Sequence, residues 1–66
     1  MEDRLKVAVI IAAMNASATI ARAIISALAD RNVREVIVVD DASSDDTAAV
    51  ARAADDGSNR LTVLVQ

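Results

Sequence analysis

The sequence predicts an α/β fold: a β-α-β-α-β unit whose three parallel strands lie in the order 3-2-1, with both helices on one face. Three observations carry this. Val36-Ile37-Val38-Val39 is an unbroken run of branched apolar residues, the pattern of a strand buried on both faces of a parallel sheet. Two similar runs flank it, and the segments between them carry apolar residues at helical rather than alternating spacing. The central run also gives way at once to Asp40-Asp41-Ala42-Ser43-Ser44-Asp45-Asp46, a polar cluster at the carboxyl end of a strand, where open α/β sheets bind ligands.

The elements follow in order. Lys6 to Ala12 forms the first strand, and Ala13 to Ala16 a turn to which Asn15 is well suited. The first helix spans Ser17 to Ala29, with Ile20, Ala23, Ile24, Ala27 and Leu28 on its inner face. Asp30 to Arg34 is a polar connection into the second strand, Glu35 to Val39. Ser43 or Ser44 caps a second helix from Asp45 to Ala54, with Asp45 and Asp46 in its first turn, where the helix dipole favours them. Val50, Ala53 and Ala54 face inward, and Gly57 provides a left-handed stop. Asp55 and Asp56 sit at the unfavourable end of that dipole, so the last turn should fray. Leu61 to Val65 is the third strand.

Right-handed crossovers, the rule in about 98% of parallel connections, place both helices on one face if both step the same way. The other face is then apolar whichever strand parity it shows, several hundred Å² of uncovered hydrophobe by the usual scale of such patches. The first strand also has an open edge. Self-association, as a homo-oligomer and most simply a dimer, is the expected remedy, through stacked sheet faces or paired edges.

Composition narrows the function. Residues 1–66 are one small domain, of a size that buries only roughly 60% of its unfolded surface. Phe, Tyr and Trp are all absent, so the core lacks aromatic anchors. With no Cys and no His, disulfides, thiolate chemistry and the usual zinc sets are excluded. Any metal site must be built from carboxylates, which suit magnesium or manganese, and Asp40, Asp41, Asp45 and Asp46 are the acids for weak divalent binding. A net charge of −3 leaves no basic stripe for nucleic acid. The longest apolar run, Val7 to Met14, is far short of a membrane span. Its position after Arg4 and Lys6 faintly suggests a signal peptide, but its Val and Ile content and the α/β pattern beyond it read as a strand. The expectation is a soluble, cytoplasmic protein.

Two stretches carry a resemblance. VAVIIAAMNASATIARAIISAL followed by EVIVVDDASSDDTAAVA resembles the opening of family 2 glycosyltransferases of the GT-A fold. That family usually begins with a strand ending in a small-x-Tyr-Asn turn, then a helix with Thr-Ile and Ser-x-Leu, and closes its second strand with Asp-Asp-x-Ser-x-Asp. The likeness covers Lys6 to Gln66 in order and spacing, with the two motifs about 25 residues apart. It implies a Rossmann-like half-domain that binds UDP or a UDP-sugar weakly.

The resemblance places Ala12 and Met14 where the family's first loop touches the nucleotide. It also places Asp41 where the second acid binds the uracil ring, and Asp40 where the first acid shapes the turn. Three departures stand out. Met14 replaces the usual tyrosine and its stacking and hydroxyl contact. The sequence reaches Gln66 before the family's Asp-x-Asp metal motif and catalytic base. Ile25 lies about 140° off the inner helix face, where relatives more often carry a polar residue. These features imply a truncated, engineered or selected fragment, inactive in transfer alone and holding no cofactor itself. Magnesium or manganese is expected on the diphosphate in the full-length parent, which would invert the sugar carbon.

The alternative is a structural, self-associating α/β module that keeps the fold without the ligand. Other nucleotide folds fit less well. The turn Ala12-Ala13-Met14-Asn15-Ala16 lacks the dinucleotide-binding glycines, no Gly-Lys-Ser/Thr is present, and receiver domains carry their acid pair after the first strand.

Overall fold

A computed structural model describes residues 7–66. The element order is β1 (Val7–Ala13), α1 (Ile20–Ala29), β2 (Val33–Asp40), α2 (Thr47–Ala53) and β3 (Leu61–Val65). The strands form one parallel sheet in the order β1-β2-β3, which is the expected 3-2-1 read from its other edge. Of the expected first strand, Lys6 lies outside the described residues, as does the Arg4 and Lys6 part of the signal-peptide likeness.

Both helices cover one face of the sheet. Ile20, Ile24 and Leu28 of α1 and Ala51 of α2 meet Val36 and Val38 of β2 in one core, with Ala13 and Val33 at its ends. Ile24, Val36 and Val38 are completely buried, each contributing about 1.5–3 kcal/mol through loss of exposed apolar surface. The buried stripe of α1 runs through Ile20, Ile24 and Leu28, four residues apart. Ala23 is one residue, about 100°, from Ile24, so it is exposed rather than on the inner face, while Ala27 is half-buried. In α2 the same offset exposes Ala53 and turns Thr47 and Ala51 inward, with Val50 and Ala54 half-buried beside them.

The opposite face is open. Register aligns Ile10 with Ile37 and Thr62, and Ala12 with Val39 and Leu64. Ile10 is 70% exposed and Leu64 50%, whereas the central Ile37 and Val39 are half-buried by their neighbours alone. β2 is therefore buried on one face and half-covered on the other, not buried on both.

Several element ends shift for identifiable reasons. α1 begins at Ile20 rather than Ser17 because the N–H groups of Thr19 (3.0 Å) and Ile20 (2.8 Å) both donate to Ala16 O, closing a tight lead-in turn. β2 begins at Val33, two residues early, across a register irregularity that pairs Val7 with Val33 and Ala8 with Glu35. The extra residue, Arg34, lets Val33 turn into the core. α2 ends at Ala53, short of Gly57. Ala54 N–H donates back three residues to Ala51 O at 3.1 Å, and Asp55 N–H to Arg52 O at 3.2 Å. Gly57 does adopt a left-handed conformation, φ 82°, but within the α2–β3 connection.

Arg60 closes this end of the sheet. Its guanidinium donates to Val33 O at 2.6 Å and to Leu28 O at 2.5 Å, its Nε to Ser58 Oγ at 3.0 Å, and Asp56 lies 3.5 Å away. It thereby satisfies one of the carbonyls that every helix leaves free at its C-terminus.

Candidate functional site

The ladder register brings Ala13 opposite Asp40, so the loops that leave β1 and β2 emerge side by side at the carboxyl end of the sheet. Asp41 N–H donates to Ala13 O at 2.9 Å, which carries the pairing one residue beyond the strands. From there the two loops are joined by side chains. Three consecutive amides of the first loop donate to the second: Asn15 N–H to Ser43 Oγ (2.8 Å), Ala16 N–H to Thr47 Oγ1 (2.9 Å) and Ser17 N–H to Asp45 Oδ2 (3.3 Å). In return, Asn15 Oδ1 accepts from Ser44 N–H at 2.8 Å and from the Ser44 hydroxyl at 3.1 Å.

The two adjacent acids of the β2 end have opposite surroundings. Asp40 is buried, 3% exposed, and its carboxylate accepts from the Ser43 amide at 3.3 Å and from the Ser43 hydroxyl. Its carbonyl accepts from Ala42 N–H (3.2 Å) and Gln66 N–H (2.9 Å), so Asp40 fixes the turn and ties β3 to it. Asp41 is exposed. Ala42, immediately after it, takes φ 54°, a left-handed conformation that costs a residue with a Cβ about 1–2 kcal/mol. Met14 is 65% exposed at the start of the first loop, and Ala12 is exposed on the open sheet face beside Val39. The four residues thus divide: Asp41 and Met14 project from the loops at the sheet end, Ala12 belongs to the sheet face, and Asp40 is spent on the turn.

The helix cap differs from expectation. α2 begins at Thr47, and the capping position is Asp46, whose carbonyl takes the first helical bond from Val50 N–H at 2.9 Å. Ser43 and Ser44 do not cap it, because their hydroxyls are committed to Asp40 and Asn15. Asp45 and Asp46 precede the first turn rather than lying in it. Asp45 accepts from Thr47 N–H at 3.0 Å and from the Thr47 hydroxyl. These bonds, led by the Thr47 hydroxyl with Ser17 adding to it, hold its carboxyl at about 2, below the usual carboxylate value.

With Asp40 bound to Ser43 and Asp45 to Thr47, the acids do not converge. Among the described residues no group of three potential metal ligands comes together. The sequence reading of weak magnesium binding by Asp40, Asp41, Asp45 and Asp46 therefore has no geometry behind it here. No enclosed cavity forms among the described residues either, so any ligand would rest on an open ledge.

Three polar groupings that hold this structure together are not evident from the sequence pattern. Thr47 looked like an ordinary helical residue, yet it is fully buried and joins both loops. Asn15 suits the turn, as its positive φ of 51° shows, but its carboxamide also binds the second loop. Arg60 sat in a polar stretch with no periodicity to mark it. Only Thr47 had a usable signal: a hydroxyl directly after two acids at a helix start, where it can bond to both backbone and carboxylate.

The fold and the paired loops define a parallel α/β unit with an acid pair at the carboxyl end of its sheet. The chain belongs to glycosyl transferase family 2, whose profile matches residues 8–66. It is 60% identical over 58 residues to the succinoglycan biosynthesis protein ExoU of Rhizobium meliloti (strain 1021), a match covering 88% of this chain. The chain spans 17% of the length of that relative. No solved structure matches it. No helix among the described residues is long and apolar enough to cross a membrane.

Proposed function

We propose that this chain forms the nucleotide-binding ledge of a GT-A-type glycosyltransferase, taking UDP or a UDP-sugar weakly from the cytoplasmic pool. Asp41 binds the uracil ring, Met14 and Ala12 flank the nucleotide, and Asp40 contributes by shaping the turn that carries Asp41. The observation that carries this reading is the contrast between the two acids: Asp40 is consumed internally while its neighbour Asp41 is exposed beside the first loop. Family membership supports it.

No catalytic residue is assigned. In a longer family member, magnesium or manganese would neutralise the diphosphate during sugar transfer. The described acids of this chain do not converge on a cation. An amide NMR titration with UDP and magnesium tests the reading. Saturable shifts confined to Ala12–Asn15 and Asp40–Ser43 are expected; unshifted spectra up to millimolar UDP would refute it.

The open sheet face favours a second role, self-association. Ile10, Ile37, Val39 and Leu64 form an apolar surface that no described element covers, and a second copy of the face would match it. Sedimentation equilibrium at high micromolar concentration should give a dimer that the double variant Ile10→Thr, Leu64→Thr dissociates. A monodisperse wild-type monomer would refute it.

A further inference from the structure

Asn15 adopts φ 51°, a left-handed conformation that asparagine tolerates and glycine tolerates better. The turn by itself therefore does not require a carboxamide. The carboxamide has separate partners, since its oxygen accepts both the Ser44 amide at 2.8 Å and the Ser44 hydroxyl at 3.1 Å. The residue's own N–H holds Ser43 Oγ at 2.8 Å, and the Ser43 hydroxyl passes on to the buried Asp40.

Between these anchors lie only Asp41 and Ala42. Asp41 is held at its N–H by Ala13 O at 2.9 Å, and Ser43 and Ser44 are held by Asn15. Ala42 is kept at φ 54°, a conformation that persists only when its surroundings over-determine it. When the Ser44 end is released, Ser43 keeps its bonds to the Asn15 N–H and to Asp40, so the hold on Ala42 is weakened rather than lost, and the Asp41–Ala42 peptide, with the exposed acid, samples other orientations.

We propose that Asn15 is a positioning residue for Asp41: its carboxamide oxygen clamps Ser44, and this clamp keeps Asp41 where a nucleotide base meets it. The inference rests on the nucleotide reading for its ligand, but the clamp itself can be read without one.

Two substitutions separate clamp from turn. Asn15→Gly keeps the left-handed turn and removes the acceptor; Asn15→Asp keeps both an acceptor oxygen and tolerance of the turn. Amide hydrogen exchange at Ser44 is measured without ligand, and UDP binding by amide shifts. Asn15→Gly should exchange the Ser44 amide about tenfold faster and bind UDP about tenfold more weakly, the scale of one lost hydrogen bond. Asn15→Asp should restore both. A purely structural role for the turn would leave both readouts of Asn15→Gly at wild-type values, and that result overturns the proposal. If the wild-type protein binds no UDP, the nucleotide reading fails on its own. Ser44 exchange then decides the clamp: faster in Asn15→Gly and restored in Asn15→Asp upholds it, and unchanged exchange overturns it.

Discussion

Replacing Thr47 with valine tests whether the two loops at the sheet end are held by specific polar bonds or merely lie together. Thr47 is fully buried, and valine keeps its shape while removing the hydroxyl. Two bonds are lost. The Ala16 N–H, 2.9 Å from Thr47 Oγ1 in a part-buried setting, is left without an acceptor, at a cost of about 1–3 kcal/mol. A chain of this length has a total stability of only about 3–10 kcal/mol, so the loss should be plain in urea unfolding. Far-UV circular dichroism is the probe, as there is no tryptophan to follow. Thr47→Ser makes the complementary change: it keeps the hydroxyl and loses a methyl group, costing about 1 kcal/mol through burial and packing.

The second lost bond separates the two variants by pH. Asp45 is held at about 2, against an ordinary value of 3.8, first by the Thr47 hydroxyl. A carboxyl depressed on folding favours the folded state when ionised. Its contribution is complete above about pH 4 and disappears as pH falls through the folded value near 2. Wild type and Thr47→Ser should therefore both lose stability across that window. Thr47→Val, lacking the largest cause of the depression, should lose less there, although it starts lower at pH 7. A valine variant with the wild-type urea midpoint at pH 7, or with the wild-type pH slope between 4 and 2, would refute the reasoning.

Three further outcomes are expected. Arg60→Met should destabilise by about 2–3 kcal/mol, because Leu28 O and Val33 O lose a charged donor, and Arg60→Lys should recover only part; a midpoint unchanged in urea would show these two bonds to contribute nothing. Ala42→Gly should raise the urea midpoint by the equivalent of about 0.5–1 kcal/mol, since glycine occupies φ 54° without the Cβ penalty, and a lowered midpoint would contradict the conformation assigned there. In the absence of divalent cations, uridine and UDP should bind within a few-fold of each other by amide titration. The amides of Asn15, Ala16 and Ser17, which could otherwise receive a phosphate, are filled by Ser43, Thr47 and Asp45. Markedly tighter UDP binding would mean that these bonds open for the ligand.

Much of the fold was legible because it rests on apolar periodicity. β3 falls at Leu61–Val65 as read, and the stripe Ile20, Ile24, Leu28 and the pair Val36, Val38 define the core. The misreadings lie where local polar chemistry overrides pattern. Ser43 and Ser44 have the composition of helix caps, yet they serve Asp40 and Asn15, partners that only the adjacency of β1 and β2 supplies. Val33 enters the core through an irregular register that places Arg34 outside the pairing, and no spacing in the sequence announces this. At the site, the acid pair was visible as a motif, but not that burial would divide Asp40 from Asp41. That division follows from strand parity: Val36, Val38 and Asp40 share the helix-covered face, so Asp40 must be satisfied internally.

The same parity explains how so small a core, without a single aromatic ring, can support a defined loop geometry. The covered face holds little more than Ile, Leu, Val and Ala, and such packing alone leaves loops loose. Here the covered face ends in two buried polar groups, Asp40 and Thr47, one at the end of β2 and the other at the start of α2. Each requires partners once buried, because an unpaired buried polar atom costs more than a bond returns. Asp40 finds Ser43, while Thr47 finds Ala16 and Asp45, so the requirement that satisfies the core draws the loops together. Among the described residues no buried side-chain polar atom lacks a partner. Loop order at this end of the sheet is thus a consequence of core satisfaction, and a change that relieves the core of Thr47's hydroxyl should loosen the ledge even though it adds apolar surface.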